Sequence, residues 1–120
     1  MSIIKTILNF QNELRLHHWG TKSYAAHKAL GKAYESIDAL LDTFAETYMG
    51  ALGKEELKQI SELQLNGPYR TSANQVLNSF EDYLMNELPK EIDDSQTELL
   101  NIRDEMLGVV QQTKYLLTLS

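Results

Sequence analysis

Cysteine is absent from the chain. That removes disulfides, thiolate nucleophiles and every zinc or iron–sulfur site built on sulfur ligands. Proline occurs only at Pro68 and Pro89. Long stretches therefore run without a breaker, which favours helices over many short strands. No apolar run approaches the roughly 20 residues that span a bilayer. The first ten residues hold Lys5 as their only base and show no small-residue cleavage pattern, so no secretory leader is expected, and the expected compartment is the cytoplasm. Neither terminus carries a Lys/Arg cluster, and the net charge is -6. Binding to nucleic-acid phosphates needs local positive charge to displace counterions, so neither nucleic acid nor membrane is an expected partner. A Gly-x-Ser-x-Gly elbow and a Gly-rich phosphate loop are also missing, which leaves nucleophilic catalysis without support.

What is present is helical periodicity. Ile3, Ile4, Ile7, Leu8 and Leu14 share a face with Gln11 and His18, and this first helix is expected to end near Gly20. Ser23 is the expected N-cap of a second helix, whose stripe Ala26, Leu30, Ile37, Leu40, Leu41, Phe44 and Tyr48 runs to about Met49. A short helix is expected between Lys54 and Leu63, before the turn signal Asn66-Gly67-Pro68. Ser72 with Gln75 has capping-box spacing for a third helix, which Pro89 stops, and Ser95 with Glu98 repeats that spacing for a fourth. The fold class is all-α: one domain over residues 1–120, a four-helix bundle with a longer connection between helices two and three.

The histidines His17, His18 and His27 fall in one short stretch, and Glu35, Asp38, Asp42 and Glu46 follow on the second helix. Asp38 and Asp42, and again Asp42 and Glu46, stand four apart and share a face. Imidazole with carboxylates suits iron, manganese or zinc. The same acids also suit a solvated face, and spacing alone favours that plainer reading. No histidine follows His27, so the doubled Glu-x-x-His arrangement of di-metal bundles is excluded within one chain. A His/carboxylate site must draw on the first two helices or be shared between subunits. His17 is turned about 100° from His18 on a helix and is expected at the surface. Tyr24 and Tyr34 are expected to pack, the alternative for Tyr24, one turn before His27, being to line the site. Glu35 is a weaker ligand candidate.

The stretch from His18-Trp19 to Gly53, about a third of the chain, resembles the ferroxidase segment of the Dps family, the mini-ferritins of the ferritin-like superfamily. The matching residues are His18-Trp19, His27, Asp42-Thr43-Phe44-Ala45-Glu46 and the trailing Gly50-Ala51-Leu52-Gly53. The run Tyr24 to Gly31 is also similar to small ferritin-like proteins encoded by phages. The connection between Trp19 and His27 is shorter than in that family. Gly31 stands where the family has an acid, and no basic tail is present. The resemblance implies a ferritin-like bundle that binds metal, iron first and zinc or manganese as alternatives, and works as an iron oxidase. It further implies a homodimer or larger assembly in which His18 and His27 of one subunit face Asp42 and Glu46 of its mate, with Trp19 beside the site. In that antiparallel pairing Asp38 of the mate lies opposite Gly31 and supplies the missing acid; the alternative is that Asp38 is solvated and Gly31 marks a decayed site. The alternative is a non-catalytic helical homodimer that keeps the scaffold as a structural or interaction protein.

Overall fold

The computed structural model describes residues 2–120. It is all-helical, with four α-helices and no strand among the described residues. These are α1 (Ile3–Gly20), α2 (Tyr24–Leu52), α3 (Ala73–Asp82) and α4 (Thr97–Leu117). A three-residue link makes α1 and α2 antiparallel. The connection after α2 then climbs back along α1: the Gln64 amide reaches Asn9, the Asn66 and Gly67 amides reach Glu13, and Thr71 reaches His17. Thus α3 starts beside the end of α1 and runs back down it, with Phe80 stacked on Phe10 at 4.6 Å. α4 returns antiparallel to α3 and packs on α2, which is held between α1 and α4.

The apolar stripes meet in one core, with Ile7, Leu14, Ile37, Phe44, Phe80 and Met106 fully buried. Buried carboxylates tie the long connection to α1. Glu13 accepts two successive main-chain N–H groups, from Asn66 at 3.0 Å and Gly67 at 2.9 Å. Glu56 accepts from the Ile4 amide at 2.9 Å and the Ser2 hydroxyl at 2.7 Å. It thereby satisfies a free N–H at the helix N-terminus, where negative charge is favoured.

Local signals explain most helix ends. The Ser23 hydroxyl accepts from the Ala26 amide, and both bonds of the Ser72/Gln75 capping box are made. Four boundaries differ from expectation. α2 runs past Gly50 to Leu52 and ends at Gly53, whose φ of 90° favours glycine. Only Glu55–Gln59, a 3₁₀ turn, forms in the segment expected as a short helix. α3 does not stay α-helical to Pro89: it widens into a π turn at Tyr83–Glu87 and closes as a 3₁₀ turn at Leu88–Lys90. There the Leu88 amide bonds back to the Tyr83 carbonyl, and Pro89 has no N–H for the Leu84 carbonyl. Arg103 supplies that donor from α4, at 2.9 Å. Finally, Ser95 does not cap α4. Asp93 takes the Ser95 amide at 2.9 Å, and Gln96 becomes the N-cap without a side-chain bond.

Candidate functional site

Where α1 ends and α2 begins, His18 and His27 form a reciprocal clamp. His18 Nδ1 donates to the His27 carbonyl at 2.6 Å, and His27 Nδ1 donates to the His18 carbonyl at 2.8 Å. A carbonyl only accepts, so both Nδ1 atoms carry hydrogen and, in the neutral rings, each Nε2 keeps a bare lone pair. The rings stack with centroids 3.8 Å apart and planes 17° from parallel. Tyr34 meets His18 edge-on at 5.3 Å, with Arg15 over its own face, and Tyr24 lies against His27.

Gly31 belongs to this clamp. A Cβ there would stand 2.7 Å from Cε1 and 2.9 Å from Nδ1 of the His18 ring. The glycine is the seat of an imidazole from its own chain. That corrects the expectation that Gly31 faces the mate and takes an acid from its Asp38.

The carboxylates lie elsewhere on α2. Asp38 accepts from Gln11 Nε2 at 3.1 Å, and Asp42 and Glu46 are exposed. At 1.5 Å per residue, Asp42 is about 22 Å along the helix from His27. One chain therefore brings His18 and His27 together and does not bring Asp38, Asp42 or Glu46 to them. Among the described residues there is no group of three or more His, Asp or Glu side chains able to hold a metal ion.

His17, expected at the surface, is buried at 3% exposure. The long connection covers it, and its Nε2 lies 3.1 Å from the Thr71 hydroxyl. Burial pushes its pKa below the ordinary value, with Glu13 pulling partly the other way. Trp19 and Tyr24 are the opposite case, 65% and 74% exposed, so Tyr24 does not pack into the core. Glu13 and Glu56, which hold the long connection, carried no sequence signal, because their partners lie more than fifty residues away.

Over the N-terminal half of α2 runs an open groove of about 610 Å³. His18, His27, Lys28, Lys32 and Glu35 line it together with Leu116 of α4 and Leu119 just beyond that helix. No helix among the described residues is long and apolar enough to cross a membrane.

The pattern of a family of unknown function, DUF5856, matches residues 18–117. The chain belongs to that family. It is also 29% identical over 102 residues to an uncharacterised 14.6 kDa protein from the mobD–ri intergenic region of Enterobacteria phage T4. That match covers 85% of this chain and 74% of the phage protein. No solved structure matches. These findings overturn the resemblance to Dps and the ferritin-like superfamily, since the matching family is a different one and its function is unknown. The His18-Trp19 and His27 signature has a local cause here, the clamp between two helix ends.

Proposed function

We propose that this member of DUF5856 is a non-catalytic interaction protein, a helical module that works as a homodimer. The observation that carries this reading is the clamp. Both imidazoles donate to main-chain carbonyls and stack on each other, which fixes the α1–α2 corner and shapes one side of the groove over α2. Their lone pairs lie in nearly parallel ring planes, so they do not converge on one ion about 2 Å from each nitrogen. Light scattering at tens of micromolar, with and without chelator, tests the reading. A dimer mass indifferent to chelator is the expected result, and a monomer throughout overturns it.

A second reading follows from the bare Nε2 atoms, since an Nδ1–H bonded to a carbonyl is the usual support of an Nε2 metal ligand. In it His18 and His27 unstack and take zinc, iron or manganese, with Asp38, Asp42 or Glu46 contributed by a second copy. Calorimetric titration with Zn(II) decides between the two. Tight binding that His27→Ala with Asp42→Ala abolishes favours the metal; equal inertness of both proteins removes it.

A further inference from the structure

The outer face of α2 carries an unusual order of charge. Ala25, Lys28, Lys32, Glu35, Ala39, Asp42, Glu46 and Met49 follow one another at alternating steps of three and four, which places them on one stripe. All are exposed except the partly covered Met49. The bases stand toward the helix N-terminus and the acids toward its C-terminal half, the reverse of what the helix dipole favours. No acid occupies the first turn and no base the last. Like charges also sit four apart, Lys28 with Lys32 and Asp42 with Glu46, where each repels the other. Among the described residues none of these charges, nor Glu35, has an ion-pair partner within the chain.

The stripe is self-complementary when reversed. We infer that a second copy of the chain lays its α2 antiparallel along this face, its C-terminal half entering the groove, in a single register. Lys28 then faces Glu46 of the mate, Lys32 faces Asp42, Glu35 faces the small Ala39, and Ala25 faces Met49. By two-fold symmetry every pair occurs twice. Both like-charge repulsions within the helix are relieved, and the dipoles of the two helices oppose. Parallel pairing would instead set Lys28 on Lys28 and Glu46 on Glu46, a juxtaposition that costs several kcal/mol across an interface. Tyr24 and Leu52, the large exposed hydrophobics of α2, lie at its two ends, so the same pairing brings Tyr24 of one copy to the end that carries Leu52 of the other. Apolar contact supplies affinity there, and the charges fix direction and register.

This register rests on the homodimer reading and is tested separately from it. Two variants are made, Lys28→Glu/Lys32→Glu, whose stripe carries only acids, and Asp42→Lys/Glu46→Lys, whose stripe carries four lysines beside Glu35. Every changed position is exposed, and circular dichroism checks that both fold. Light scattering on each variant alone is expected to show dimerisation weakened at least tenfold. An equimolar mixture is expected to return a heterodimer, because the facing charges at 28 and 46 and at 32 and 42 are then all opposite in sign. A wild-type dimer whose two variants also dimerise alone overturns the register and leaves the homodimer standing. So does a pair of monomeric variants that stay monomeric when mixed. A monomeric wild type overturns both.

Discussion

The two long faces of α2 are made of different material and answer to different constraints. The inner face, with Leu30, Ile37 and Phe44 almost wholly removed from solvent, is fixed by packing against α1 and α4. Among the described residues the charges of the outer face make no ion pair within the chain, yet they are not scattered as solubility alone would allow. They are sorted by sign along the helix, against the dipole. A face that merely keeps a protein in solution has no reason to accept that arrangement. Exposed charge is informative when its order is unfavourable for the isolated chain.

The largest effect belongs to the inner face. Phe44→Ala removes a fully buried ring and is expected to lower stability by about 4 kcal/mol, read by urea denaturation. A loss below about 1 kcal/mol would contradict its place in the core.

Next comes a pair of glycines that propensity alone treats alike. Gly31→Ala gains up to about 1 kcal/mol in helix propensity. It also drives a methyl into the clamped His18 ring, which costs about 1–3 kcal/mol. A net loss of about 1 kcal/mol is expected. Gly108→Ala on α4 meets nothing within 4 Å and is expected to gain about 0.5–1 kcal/mol. Equal gains at both positions would show that the His18 ring does not sit on Gly31.

The pH dependence is smaller and sharpens the contrast between buried and exposed titrating groups. His17 is held neutral by burial, with its pKa below 6.5. The unfolded chain therefore takes up the proton first. Stability is complete above pH 6.5 and is lost as pH falls from there toward the lowered native value. Urea midpoints at pH 7.5 and 5.5 measure the step, and His17→Gln is expected to flatten it. The smallest effect lies on the outer face, where Asp42→Asn is expected to change unfolding free energy measured under dissociating, dilute conditions by no more than about 0.5 kcal/mol.

Much of the fold was legible in the sequence, because the signals were local. The apolar rows of α1 and α2, the Ser23 cap and the Ser72/Gln75 box each involve residues within a turn or two of one another. What stayed hidden depends on partners distant in sequence or on competition between neighbours. His17 is buried by a connection that returns more than fifty residues later. Ser95 is held by Asp93, two residues before it, and the N-cap position of α4 falls to Gln96. The π turn answers to Pro89 and to Arg103 across the interhelical gap. At the candidate site the sequence pointed to His18 and His27, which the fold does bring together, but it carried no sign of their bonds to each other's main chain. Spacing cannot distinguish two imidazoles that bind a common ion from two that bind each other's main chain.

Crosslinking reads out the proposed antiparallel register of α2 against α2 of a second copy. The natural absence of cysteine makes Ala25→Cys/Met49→Cys a clean reporter. Within one chain those positions are about 36 Å apart along the helix, so a disulfide between them must join two chains. Mild oxidation is expected to convert the double variant almost completely to a covalent dimer, while Ala25→Cys alone and Met49→Cys alone stay largely unlinked. Equal crosslinking of the three variants, or a dimer that forms no disulfide in the double variant, would contradict the pairing.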